Sequence, residues 1–292
     1  MSNRIFEYLV ELGLVSESSS EVFSIGTRDV PNLKVWKDRA SGVIYIKDHY
    51  VGEDEYKTGA YRDDEIYRIN KPDYERLRDL QRRAASYQHF YAGRDICDFG
   101  CGAGDFLEEV RDSCNSVIGV ELQKSYLDRM TSLGIACTNE LAEIADGSLD
   151  VIFLFHSLEH FPDPKEILAG LAIKLRPGGR FVIEVPHAGD FLLSEDLGCE
   201  AFKRFTLWSQ HLVLHTRTSL RTILQDCALR SIVVEGVQRY PLSNHIYWLS
   251  QGRPGGHKSN FALLDTVDLL PAYEGALNRL DATDTLVAVA VR

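Results

Sequence analysis

No apolar run in this 292-residue chain approaches the roughly 18 residues that a membrane span needs. The opening stretch, MSNRIFEYLVELGLVSESSS, carries Glu7 and Glu11 inside its apolar pattern. It reads as a short amphipathic helix without the uninterrupted apolar segment of a signal peptide, so a cytoplasmic location is expected. Pairs of the C-x-x-C type are also missing. The six cysteines, Cys97, Cys101, Cys114, Cys137, Cys199 and Cys227, read as small buried residues in a reducing compartment, not as a metal site or disulfide framework. Positive charge is scarce: 32 Lys and Arg face 43 Asp and Glu, a formal charge of -11. That balance argues against a polyanionic partner, and no nucleic acid is expected. What remains is an ordinary globular composition, 45% hydrophobic and 26% charged, long enough for one large α/β domain with insertions or two modest ones.

The chain is organised around Arg94-Asp95-Ile96-Cys97-Asp98-Phe99-Gly100-Cys101-Gly102-Ala103-Gly104-Asp105-Phe106-Leu107. A short apolar run, three alternating glycines and the start of a helical pattern predict a strand, a tight turn and a helix N-terminus, where backbone amides can approach a ligand. Asp105 stands where a G-x-G-x-x-G dinucleotide fingerprint has its third glycine, and Asp98 would put a carboxylate beside a pyrophosphate. A carboxylate there suits a ligand carrying positive charge, such as an ammonium or a sulfonium.

Before this stretch, Leu33–Lys37 and Val43–Ile46 read as strands joined by hairpin chemistry at Asp38-Arg39-Ala40-Ser41-Gly42. A tyrosine-rich segment follows, with Tyr56, Tyr61, Tyr67 and Tyr74, and then an arginine-rich helix over residues 72–92. After it, strands at 95–98, 116–121, 135–137, 149–155 and 180–186 alternate with helices, the pattern of a doubly wound parallel sheet. Arg176-Pro177-Gly178-Gly179 reads as a helix stop and turn before the fifth strand. A helix at 217–227 and strands at 230–238 and 285–291 complete the pattern, while 187–215 and 240–282 lack a clean period. The expected organisation is a small N-terminal α/β appendage over 1–71, a main domain over 72–240 plus 283–292, and an insertion over 241–282 that caps an acceptor site.

The glycine stretch resembles motif I, D-x-G-C-G-x-G, of the class I S-adenosylmethionine-dependent methyltransferases. Asp146-Gly147-Ser148-Leu149-Asp150 resembles that family's run into its fourth strand, Leu158-Glu159-His160 its L-E-H segment, and Leu175-Arg176-Pro177-Gly178-Gly179 its turn before strand five. Together these parts cover roughly residues 94–186 in the family's order. The resemblance implies a Rossmann-like seven-stranded sheet of order 3-2-1-4-5-7-6 with the last strand antiparallel. It also implies S-adenosylmethionine as cofactor, held by Asp98, Phe99, Gly100, Cys101, Gly102, Glu121, Leu122, Asn139, Phe155, His156, Ser157 and His160. Glu121, ending the second strand about 20 residues past the turn, is where open α/β sheets present a carboxylate to a ribose.

Transfer to a hydroxyl needs a base, and a histidine suits that task. His187, after the fifth strand, and His211, in a Q-H segment similar to those of sugar and small-metabolite methyltransferases, are the candidates. His215 and His245 read first as structural. D-P-P-Y, N-P-P-F and Pro-Cys signatures are absent after strand four, and the metal-binding acids of catechol-type enzymes have no match, so no metal is expected. A hydroxyl or amine of a small molecule is the expected acceptor, a sugar, nucleotide sugar or polysaccharide intermediate first. Tyr247, Trp248 and Phe261 of the insertion stack on such an acceptor or simply bury the insertion. Nucleotide-sugar C-methyltransferases carry zinc-binding cysteines in their N-terminal segment, whereas residues 1–90 here have none. C-methylation, a catalytically silent S-adenosylmethionine-binding module and, more remotely, a nicotinamide-dependent reductase stay open. The oligomeric state is left open as well.

Overall fold

The computed structural model describes residues 3–58 and 74–292; Tyr61, Tyr67 and the first two residues of the expected 72–92 helix lie outside them. The N-terminal part consists of α1 (Ile5–Glu11), β1 (Ser20–Ile25), β2 (Lys34–Asp38), β3 (Ile44–Tyr45) and α2 (Glu53–Thr58). The hairpin expected between β2 and β3 forms, and its turn is built on Asp38, whose Oδ1 accepts from the amides of Ala40 and Ser41. Then come α3 (Tyr74–Tyr91), β4 (Asp95–Phe99), α4 (Asp105–Val110), β5 (Ser116–Val120), α5 (Lys124–Ser132), β6 (Ala136–Thr138) and β7 (Leu149–Phe155). Leu-Asp-Val-Ile-Phe-Leu-Phe of β7 is apolar on both faces because helices cover both, and its members from Val151 to Phe155 are all buried.

Helix α6 (Pro164–Lys174) starts where Asp163 accepts from the Glu166 amide and Pro164 presets the first turn. It is followed by β8 (Leu175–Pro186), α7 (Glu200–Thr206), β9 (Val213–Leu214) and α8 (Arg217–Asp226), the last entered through a Thr216–Ser219 capping box. The chain closes with β10 (Arg230–Val237), α9 (Leu242–Gln251), α10 (Leu269–Arg279) and β11 (Thr285–Val291).

Seven strands form one sheet in the order β10-β11-β8-β7-β4-β5-β6. Strands β4 to β8 run parallel, and β11 is antiparallel to both β8 and β10. Counted from β4, this is the 3-2-1-4-5-7-6 order with an antiparallel last strand. One face buries α1, α6 and α8 side chains with those of β7, β8 and β11; the other buries Tyr87, Tyr91, Phe106, Leu107 and Met130 against Phe153 and Phe155.

Three local expectations change. Leu175-Arg176-Pro177-Gly178-Gly179 is not a separate turn but the first part of β8. Gly178 at φ +82° and a register shift between Leu149 and Val151 absorb its irregularity, while Arg176 pairs with Asp95 and Asp150. The N-terminal hairpin belongs to a second sheet, β1-β2-β3-β9, whose outer strand and whose partner from residues 213–214 the pattern did not announce. The aperiodic stretch 240–282 holds two helices, α9 and α10, where only irregular chain was expected.

Candidate active site

The chain runs from β4 outward to β5 and β6, then returns to β7 on the other side, so the sheet reverses direction between β4 and β7. Ligands of open α/β sheets bind beyond the strand ends at such a point. Here the glycine bend leaves β4. Gly100, Gly102 and Gly104 all have left-handed φ, +76°, +54° and +77°. A Cβ on Gly100 would meet Ser157 Oγ at 2.5 Å, so only glycine lets this bend pass under the end of β7. A cavity of about 210 Å³ lies against the bend, lined on the sheet side by Asp98, Gly100, Cys101, Gly102 and Phe155. Its other wall is helix α3, through Arg76, Asp79, Leu80 and Arg83.

Asp98 is 3% exposed, and its Oδ1 has no hydrogen-bond partner among the described residues. Burial pushes its pKa up to about 7; the nearby Arg83 guanidinium opposes that shift, while the carboxylates of Glu121 and Glu184 add to it. Glu121 is arranged differently. Its Oε2 accepts from the Gly102 amide at 2.8 Å, and its Oε1 from the amides of Leu122 and Gln123 at 2.7 and 3.0 Å. The two acids therefore flank one bend, one fixed by main-chain donors and one left open.

Leu122 is half-buried, and Asn139 is exposed just past β6; neither lines the cavity, nor do Phe99, Glu121, His156, Ser157 and His160. Ser157 instead locks the bend, its Oγ donating to the Phe99 carbonyl at 2.9 Å. His156 adopts a left-handed φ of +52°. Its ring lies 3.5 Å from Glu159 and 3.9 Å from Glu184, and burial holds its pKa well below the usual histidine range.

The two catalytic candidates part company. His187 is 1% exposed, its Nδ1 bonded to the Thr283 carbonyl at 2.8 Å and its Nε2 3.6 Å from Asp281, away from the cavity lining. His211 lies in a cluster with Glu159, His160 and Trp208. Its ring centroid is 5.1 Å from that of His160 and 5.2 Å from that of Trp208, and the Tyr56 ring lies 5.8 Å from that of His160. Main-chain bonding joins these segments: the Leu212 amide donates to the Glu159 carbonyl at 2.9 Å, and His160 Nδ1 bonds the Gln210 carbonyl at 2.9 Å. Glu159 is wholly buried with neither carboxylate oxygen hydrogen-bonded among the described residues, and burial raises its pKa to about 8.

The ion-pair wall contributed by α3 was not anticipated. Arg82 and Arg83 bind Glu184 of β8 at 2.8 to 2.9 Å, and Tyr87 donates to the same carboxylate at 2.6 Å. Asp79 binds Arg239, just past β10, at 3.0 Å. Spacings of three and four residues put Arg76, Asp79, Leu80 and Arg83 on one helical face, a stripe visible in the sequence once the helix is known to cover the bend.

The doubly wound sheet with its antiparallel β11 and the paired acids at the glycine bend define a class I methyltransferase. Residues 68–230 match the family described as methyltransferase domain, and the chain belongs to that family. It is an S-adenosylmethionine-dependent enzyme. Two sequence relatives are ubiquinone biosynthesis O-methyltransferases. That of Idiomarina loihiensis is 27% identical over 169 residues, covering 53% of this chain and 69% of the relative. That of Cupriavidus pinatubonensis is 29% identical over 174 residues, covering 55% and 69%. Among solved structures, an S-adenosylmethionine-dependent methyltransferase from Archaeoglobus fulgidus aligns over 78% of this chain and 97% of its own, with TM-score 0.53 and 18% identity. Phosphoethanolamine N-methyltransferase 2 of Haemonchus contortus, in complex with S-adenosyl-L-methionine, aligns over 85% and 61% with TM-score 0.54 and 17% identity. At these identities the structural likeness concerns the fold. No helix among the described residues is long and apolar enough to cross a membrane.

Proposed function

We propose that this enzyme methylates a hydroxyl of a small molecule, with the cofactor at the glycine bend and the acceptor at the Glu159–His160–His211 end of the same crevice. The observation that carries the reading is the unpartnered, buried Oδ1 of Asp98 beside a bend stripped of side chains. An open carboxylate in a buried wall calls for a cation, and S-adenosylmethionine brings one together with a ribose.

In this reading Asp98 faces the cationic amino-acid part, Glu121 accepts from the ribose hydroxyls with the oxygens that Gly102, Leu122 and Gln123 orient, and Leu122 and Asn139 flank the base. When bound, the cofactor supplies an electrophilic methyl group open to in-line displacement. The chain's own contribution is alignment, worth about 7–11 kcal/mol when a nucleophile is held in a near-attack geometry. Arg83 and Leu80 wall the cavity on the helix side. His211 is held neutral by burial and by the neighbouring His160 and Arg28. In that state it accepts the proton that leaves the acceptor. His187, bound between Thr283 and Asp281, fixes the connection that leads into β11.

The O-methyltransferase relatives support oxygen as the receiving atom. The hydroxyl is that of a phenol-type ring or of the sugar that the sequence suggests, and one assay separates them. Labelled S-adenosylmethionine is offered with quinol, catechol and nucleotide-sugar acceptors, and the product is mapped by mass spectrometry. The expected result is an O-methyl product with one hydroxyl class, and none when that hydroxyl is capped. Tight cofactor binding with no transfer to any acceptor would favour a silent binding module, and label on carbon would overturn the O-methyl reading.

A further inference from the structure

The acceptor end contains a feature that proton transfer does not require. Among the described residues one trio of side chains, Glu159, His160 and His211, brings a carboxylate oxygen and two imidazole nitrogens within 4.8 Å of one another. From this geometry we infer that Glu159, His160 and His211 form a binding site for one divalent transition-metal ion, zinc being the representative case, beside the acceptor hydroxyl. The inference rests on the acceptor site proposed above and departs from the sequence expectation of no metal.

Four observations carry it. The trio is assembled by main-chain bonding, not by chance proximity of flexible side chains: the Leu212 amide on the Glu159 carbonyl fixes the 158–160 turn against the 210–212 segment. The His160 Nδ1 contact with the Gln210 carbonyl makes Nδ1 the protonated nitrogen, so that Nε2 is the ring atom with a lone pair for a metal, the usual tautomer of a metal-ligating histidine. Both Glu159 oxygens are buried and make no hydrogen bond among the described residues, the His156 ring standing 3.5 Å away. A buried, unsatisfied carboxylate is costly unless a proton or cation meets it, and a bare ion fits where an organic ammonium would need the wall to open. Finally, one carboxylate and two imidazoles are a donor set that suits zinc, iron or manganese and leaves positions open for an exogenous oxygen. Ligands about 2.1 Å from a tetrahedral ion stand about 3.4 Å apart, so the trio closes onto an ion by rotamer adjustment of roughly an ångström.

The position gives the ion a role. Ser157, two residues before Glu159, touches the glycine bend, and Phe161, one residue past the 158–160 turn, packs against Phe99 at 5.8 Å between ring centroids. A divalent ion here lowers the pKa of a hydroxyl that it holds. The O–H bond then breaks with its proton passing to solvent, and the new O–CH3 bond forms as the S–CH3 bond breaks; nothing is oxidised or reduced. In the ion-loaded enzyme the imidazoles act as ligands, and activation of the hydroxyl passes from His211 to the metal.

The test uses the full chain, stripped with a chelator and titrated calorimetrically with Zn2+, and separately loaded with Co2+ for absorption spectroscopy. The expected result is one tight Zn2+ site per chain, with visible Co2+ bands of a four- or five-coordinate N/O site. Glu159→Gln and His211→Asn should each weaken that site by at least about 100-fold, more than outer-shell changes do. Calorimetric binding of S-adenosylmethionine, whose proposed contacts are elsewhere, should stay within about twofold and so certifies folding. No Zn2+ site, or one that survives both substitutions, overturns the metal inference. Methyl transfer that persists in the stripped enzyme would then leave the O-methylation reading standing with His211 as base, whereas loss of cofactor binding by wild-type protein would count against the function itself.

Discussion

On the proposed reading, the cofactor and acceptor ends of the crevice are built on different principles. At the glycine bend, selectivity comes from main chain: three left-handed glycines, and a Glu121 carboxylate held by three backbone amides. At the other end, it comes from side chains drawn from segments 50 residues apart, Glu159 and His160 on one, Trp208 and His211 on the other. A bend made of backbone tolerates almost no change and suits a ligand that never varies. A cluster of side chains on two short connections can be rewritten without disturbing the sheet, and suits the ligand that distinguishes one enzyme from another.

The strongest challenge to this contrast is at the wall that both ends share. Glu184→Gln leaves Arg82 and Arg83 without their buried counter-charge and should cost about 3–5 kcal/mol by chemical denaturation, with cofactor and acceptor functions lost together. A selective loss at one end would show that the two ends do not share this support. Next, Gly100→Ala combines a disallowed backbone angle with a collision at Ser157, and a drop of about 2–3 kcal/mol in stability is expected, together with loss of calorimetric cofactor binding.

Asp98→Asn sharpens the comparison from the cofactor side. It should weaken S-adenosylmethionine binding about 100-fold, a loss of about 2.7 kcal/mol, while still leaving one Zn2+ site per chain. The pH behaviour follows from the same group. Its pKa is raised from 3.8 to about 7, so in that window the folded chain keeps a proton that the unfolded chain has released. The stability contributed by protonated Asp98 is complete below about pH 4 and falls away as the pH rises to 7. Cofactor affinity runs the opposite way, because only the ionised form attracts a cation: it should be about tenfold lower at pH 6 than on the plateau above pH 8. The Asp98→Asn variant should lack that slope, and a slope that persists would assign the titration elsewhere. The smallest effect is expected at His187→Asn, a change of less than about threefold in kcat/KM with about 1–2 kcal/mol of lost stability. A large loss of kcat in a folded His187 variant would move the base back to the end of β8.

These differences also explain what could be read from the sequence. The bend, Asp98 and Glu121 form a contiguous pattern of strand, turn and strand end, and parallel strands such as β7 announce themselves by unbroken apolar character. That was enough to imply the sheet order by resemblance. Strand β1 is partly exposed throughout, Ser20 to Ile25 carrying no alternation, and β9 has only two residues, so these two strands of the second sheet left no periodic trace. The arginines of α3 were visible but their role was not, because their partners, Glu184 and Asp105, lie about 100 and 30 residues away in the chain and become neighbours only after folding. Likewise the L-E-H segment was readable as part of the cofactor site, but its meeting with His211 depends on the tie between residues 159 and 212.

Arg83 lies within electrostatic reach of Asp98, Glu159 and Glu184 at once. A cationic nucleoside settling at the bend and a metal dication settling by the histidines would each press on this one guanidinium. On the proposed reading, filling one berth would slacken the grip of the other, and a neutral thioether left behind after the methyl group departs would restore it. Sequential loading and timely discharge would then be governed by a single arginine, with no hinge to swing.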